Sequence, residues 1–186
     1  MITAVLVPGG GYTTQGPLFD LADAVLTARR DAVEPVEWSV PDGLLEVGPE
    51  PFVRVHVAAA LHRARTAAPH GRPVLIAKSL GSHAAALAAD EELPAIWLTP
   101  ILTDDSVVEA ITANRAPQLL IGGTDDRFWM PQAAEATGKQ VLQIADADHS
   151  LRVPGPVRRY AEVLATVGTA MEDFFAAVTA NTDPTG

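Results

Sequence analysis

Ser79 stands between an apolar run and an alanine-rich one, in the stretch Ala77-Lys78-Ser79-Leu80-Gly81. A serine at a strand-to-helix junction has two uses. It caps the helix, or it is carried on a turn so sharp that its hydroxyl projects as a nucleophile. The second use demands small residues two before and two after the serine, because larger side chains would collide there. Ala77 and Gly81 meet that demand. The usual form is G-x-S-x-G, and alanine for the first glycine stays within what the sterics allow.

A hydroxyl attacks a carbonyl only when a base takes its proton, and the base needs a carboxylate to fix its tautomer. On a nucleophile elbow these partners follow the serine in the order acid, then histidine, in the loops after later strands. Residues 122–126, GGTDD, offer Asp125 and Asp126, and residues 145–150, ADADHS, offer His149. Of the five histidines, His56 and His62 fall in a helical stretch and His70 in a turn. His83, four residues past Ser79, is a reserve candidate on the helix side. Only His149 has both the loop and the chain order. Composition does not choose between the two aspartates, since adjacent aspartates after glycines also make turns and caps.

The oxygen of a tetrahedral intermediate needs backbone N–H donors. Leu80, the residue after the nucleophile, supplies one. The run Gly9-Gly10-Gly11 supplies the second, at Gly10, where absent side chains let the backbone approach a substrate. A phosphate-binding reading of this loop is disfavoured, because GGGYTTQG has the spacing of neither G-x-G-x-x-G nor G-x-x-x-x-G-K-[ST].

The elements that must hold these residues follow from periodicity. Short, nearly all-apolar runs at 2–7, 32–38, 73–77, 95–99, 118–121 and 140–144 read as strands buried on both faces. Stretches of helical spacing or alanine-rich composition separate them, at 17–30, 52–68, 82–90, 104–113 and 131–137, and a long stripe runs over 156–180. Residues 39–51, with their prolines and glycines, read as a loop. Strands alternating with helices predict an α/β fold, a three-layer sandwich around a mostly parallel six-stranded sheet. The expected order is 2-1-3-4-5-6, with the ligand site at the carboxyl edge where the order reverses. The loops carrying Gly9 and Ser79 would meet there. The chain is expected to form a single domain over 1–180, followed by a disordered tail at 181–186.

The composition excludes several classes. With no cysteine there is no disulfide, thiolate nucleophile or cysteine-held metal. A net charge of −10 repels phosphate backbones and leaves no basic groove, so no nucleic-acid partner is expected. The N-terminus lacks a basic flank and a long apolar region, so neither a signal peptide nor a membrane span is read from it. A cytoplasmic location is expected. One histidine among carboxylates in residues 145–150 matches metal spacing poorly, so no metal is expected.

Taken together, "VPGGG", "AKSLG", "GGTDD" and "ADHS" resemble the α/β-hydrolase superfamily, and in its brevity the chain is similar to the small, cap-less branch related to dienelactone hydrolases. Pro8 stands where that branch usually has the histidine of H-G-x-G. The resemblance implies a minimal fold without a lid. Its G-x-x-D pattern points from Gly123 to Asp126 as the acid. It also implies acyl transfer without a cofactor: Ser79 attacks, His149 shuttles the proton and Asp126 orients it. The substrate would be a small ester, thioester or related acyl compound. Candidate substrate contacts are Gly11, Tyr12 and Phe128, with Trp38, Trp129 and Met130 as further wall or packing residues. The alternative is a non-catalytic binding or scaffold protein of the same fold. A monomer or homodimer is expected.

Overall fold

The computed structural model describes residues 1–180. The tail expected at 181–186 lies outside the described residues. Six strands, β1 (Ile2–Val7), β2 (Ala32–Pro35), β3 (Arg72–Lys78), β4 (Ala95–Leu98), β5 (Gln118–Gly123) and β6 (Gln140–Ile144), form one sheet in the order β2-β1-β3-β4-β5-β6. Every pairing is parallel. Among the described residues the α-helices are α1 (Pro17–Arg29), α2 (Leu44–Val47), α3 (Glu50–Ala67), α4 (Ala85–Asp90), α5 (Asp105–Ala113), α6 (Pro131–Ala136) and α7 (Val157–Ala180).

The strands carry apolar side chains on both faces because both faces are covered. Val5, Val7, Leu75 and Ala77 join one core with Val57 and Leu61 of α3, Ala88 of α4 and Ile111 of α5. Ala4, Leu6, Val74 and Ile76 point the other way, toward Leu18 and Phe19 of α1 and Val167, Met171 and Phe175 of α7. This is the period-2 alternation of a strand doubled into two cores. By length and composition α7 could cross a membrane. Here its stripe from Val163 to Val178 is buried against the sheet instead.

Several boundaries differ from the sequence reading. β2 ends at Pro35 rather than at residue 38; beyond it Val36 N–H still donates to Leu6 O at 2.8 Å, and Trp38 turns toward the glycine loop. The 39–51 loop contains the one-turn helix α2, and α3 begins within it at Glu50, because proline fits the first turn, where N–H groups have no intrahelical partner. β5 runs on through Gly122 and Gly123. Those glycines belong in the strand because Cβ atoms there would lie 2.0 Å from the Trp129 ring and 2.1 Å from Ala147 O.

Register places the site. Val7 pairs with Ala77, Lys78 with Leu98, and Gly123 with Ile144, so β1, β3, β4, β5 and β6 all end at one edge. The loops that follow β1, β3, β5 and β6 converge above it.

Candidate active site

β3 ends at Lys78, and the chain reverses at Ser79 with φ 52°. A non-glycine residue in the left-handed region costs about 1–3 kcal/mol and persists only where its surroundings enforce it. The enforcement is visible. Ser79–Ala84 forms a 3₁₀ turn, not the α-helix expected from residue 82, and Ser82 Oγ donates to Ser79 O at 2.7 Å while accepting Ile101 N–H at 3.1 Å. The turn tucks under β1: a Cβ on Gly81 would lie 2.8 Å from Val7 O and 2.9 Å from Pro8 O. Ala77 is fully buried. The crowding required of an elbow is therefore present at Gly81, and a methyl is tolerated at Ala77.

The loop after β6 brings His149 to the serine, with Nε2 2.7 Å from Ser79 Oγ. Asp148 shapes that loop, its Oδ1 accepting Ser150 N–H at 2.7 Å and Arg152 N–H at 3.0 Å. On the other side of the ring, Nδ1 lies 2.7 Å from Asp126 Oδ2. The second oxygen of Asp126 accepts Phe128 N–H at 3.0 Å, so the buried carboxylate has a partner for each oxygen. Asp125 is exposed, and its backbone N–H donates to Ala147 O at 3.0 Å, tying the acid's loop to the histidine's. Position alone separates the two aspartates.

His83 does not reach Ser79 Oγ. It is buried against Asp104, 3.8 Å away, and burial pushes its pKa down. Lys78 is nearly fully buried, and its Nζ donates to Thr99 Oγ1 at 3.0 Å and to the carbonyl of His149 at 2.8 Å. A lysine inside an elbow motif gives no sequence signal of where its amine goes, because its contacts span 21 and 71 residues.

Gly9 and Gly10 lie against the elbow. A Cβ on Gly9 would be 3.4 Å from Ser79 Cβ, and one on Gly10 would be 3.8 Å from the Leu80 side chain. The Gly9 N–H donates to Tyr12 O at 2.9 Å, and the indole N–H of Trp38 donates to Gly9 O at 3.2 Å. Because the peptide is planar and trans, holding Gly9 O also sets the direction of the Gly10 N–H, which points oppositely. The glycine loop and the elbow, which carry the donors expected at Gly10 and Leu80, are thus in contact.

The aromatic candidates divide. Tyr12 and Trp38 line a cavity of about 340 Å³ together with Gly10, Gly11, Thr13 and Val36. The Tyr12 hydroxyl accepts Leu18 N–H at 2.9 Å, and burial raises its pKa. Phe128 packs on His149, ring centroids 5.0 Å apart. Trp129 is a packing residue, buried over Gly122 with Nε1 donating to Gln143 Oε1 at 2.8 Å. Met130 is exposed. Among the described residues no group of three or more His, Cys, Asp or Glu is arranged to hold a metal ion.

The sequence matches no protein-family model and no curated protein. Solved structures do match. A serine hydrolase without lid from Xanthomonas campestris superposes with a TM-score of 0.70 at 16% identity, covering 95% of this chain and 81% of that one. Est1E from Butyrivibrio proteoclasticus, solved with bound ferulic acid, gives 0.74 at 14% identity over 97% and 90% of the two chains. An α/β serine hydrolase homologue from Coxiella burnetii gives 0.69 at 15% identity over 92% and 84%. The fold is that of α/β hydrolases without a lid.

Proposed function

We propose that the protein is a serine hydrolase that cleaves a small ester, thioester or related acyl compound through an acyl-enzyme. The observation that carries this reading is the continuous line of 2.7 Å contacts from Ser79 Oγ through both nitrogens of His149 to Asp126. An unstrained serine capping a helix needs neither a φ of 52° nor a histidine at its oxygen.

In the reaction, Ser79 Oγ adds to the carbonyl carbon as His149 Nε2 takes its proton. Asp126 holds Nδ1 protonated and stabilises the imidazolium. The new oxyanion accepts N–H from Leu80 and Gly10, both fixed before substrate arrives and therefore effective without reorganisation. His149 returns the proton to the leaving group. Water then repeats the sequence on the acyl-serine.

The cavity beside the glycine loop is within the size range of small-molecule sites. Its walls, Tyr12, Trp38 and backbone, favour a compact aromatic or short aliphatic acyl group. The ferulic acid bound to Est1E suits the same description. On this reading the enzyme is cytoplasmic and acts as a monomer or homodimer on a small molecule. The net charge of −10 supports that choice over anionic nucleic-acid or membrane surfaces.

The direct test is turnover of short-chain p-nitrophenyl esters with rapid quenching. An acyl mass increment on the peptide containing Ser79, absent in Ser79→Ala, supports the reading. A folded wild type that binds acyl compounds with neither increment nor turnover favours the non-catalytic alternative.

A further inference from the structure

Lys78 is the residue immediately before the nucleophile, yet its side chain leaves the elbow and runs beneath the site. It is 1% exposed. Burying an ammonium is costly unless its donors are satisfied, and a methionine would fill the same space without that cost. Among the described residues Lys78 pairs with no carboxylate; Asp126 and Asp148 act on it only through space.

Three groups receive the amine. Thr99 Oγ1 and the His149 carbonyl accept hydrogen bonds at 3.0 and 2.8 Å, and the face of the Tyr12 ring lies 4.7 Å from Nζ. Thr99 is itself held in the left-handed region, at φ 45° and fully buried, an uncommon backbone for a β-branched residue. The acceptor is therefore presented by a strained turn at the end of β4. A single side chain links the end of β3, which carries Ser79, to the end of β4 and to the loop after β6, which carries the base.

We propose that Lys78 is a positioning residue for His149, and that in its ammonium form it fixes the histidine's backbone at the distance from Ser79 that proton transfer requires. The proposal rests on the hydrolase reading. An ammonium has three N–H groups for three electron-rich neighbours, whereas a neutral amine has two and a lone pair. On deprotonation the lone pair can accept the Thr99 hydroxyl proton, but the bond to the His149 carbonyl and the contact with the Tyr12 ring lose the charge that strengthened them, and the hold on the histidine's backbone weakens.

The pH at which this happens lies in an accessible range. Burial lowers the Lys78 pKa to about 8, against the opposing pull of Asp126 and Asp148. The groups facing the amine are Asp126 from the loop after β5, Asp148 and His149 from the loop after β6, Tyr12 from the loop after β1, and the neutral Thr99. A group whose folded pKa is lowered loses its charge earlier as pH rises. Positioning is thus complete below about pH 8 and weakens above it.

The test is the second-order rate of Ser79 labelling by a fluorophosphonate probe, which does not itself titrate, measured across pH with folding followed by circular dichroism. The wild-type rate should fall about tenfold on the alkaline side, with a midpoint near 8. Lys78→Met should label about tenfold more slowly at neutral pH and lack the descending limb. Lys78→Arg, which stays charged, should lack the limb as well. Thr99→Val keeps the His149 contact but removes an acceptor from the ammonium, so its limb should move to lower pH; this variant decides the matter if Lys78→Met does not fold. A wild type that labels, with Lys78→Met equal to it in rate and profile or with a Thr99→Val limb that does not move, overturns the proposal alone. A folded wild type that never labels overturns the hydrolase reading and the proposal together.

Discussion

Asp126 Oδ2 lies 2.7 Å from His149 Nδ1, while the neighbouring carboxylate of Asp125 is exposed to solvent. One peptide bond separates a residue built into the site from one outside it. Asp126→Asn keeps the shape but offers an amide to a ring nitrogen that must carry a proton, which favours the wrong tautomer. The expected loss in kcat for ester hydrolysis is about 10³-fold or more, whereas Asp125→Asn should stay near wild type. The reverse pattern would move the acid to Asp125.

Trp38 is expected to act through Gly9 rather than by lining the cavity alone. Trp38→Phe keeps a ring but removes the N–H that reaches Gly9 O at 3.2 Å. The Gly10 N–H would then be less firmly aimed at the oxyanion, an interaction that strengthens in the transition state. The expected result is a fall in kcat of about five- to tenfold, the worth of one hydrogen bond, with KM nearly unchanged. A rise in KM at constant kcat would make Trp38 a wall and nothing more.

The crowding at the elbow makes an asymmetric stability prediction. Gly81→Ala pushes a methyl to within 3 Å of two backbone oxygens that cannot swing away, and should destabilise the fold by about 1–3 kcal/mol in urea unfolding. Ala77→Gly relieves no clash and should cost only about 1 kcal/mol, the penalty of glycine within a strand. Equal effects at the two positions would mean that the turn is looser than described.

The sheet was legible because its strands announce themselves. β1 and β3 read as buried runs between glycine and proline signals, and their parallel order follows from the intervening helices. Chain order singles out Ser79, His149 and the pair of aspartates as candidates, and the structure brings Ser79, His149 and Asp126 together. What escaped the sequence depended on contacts between distant segments. The selection of Asp126 by the residues alone required knowing that the loop after β5 turns one side chain inward. The end of β2 was misplaced because Val36 to Trp38 is β-prone, yet these residues leave the sheet and Trp38 finds its partner at Gly9. The 3₁₀ turn at Ser79–Ala84 replaced a helical start because the strained serine and the Ser82 hydroxyl bond dictate the local geometry over alanine's propensity. Trp129 could be a wall or a packing residue from sequence; the choice depends on Gly122, whose missing side chain leaves the ring its place in the core.

The most direct measurement is covalent labelling of the folded protein by a fluorophosphonate, with the modified peptide identified by mass spectrometry. One adduct is expected, on Ser79, absent in Ser79→Ala and slowed by at least about 10³-fold in His149→Ala, the scale of a triad without its base. An unlabelled wild type, or an adduct that forms equally fast without His149, would contradict the hydrolase reading.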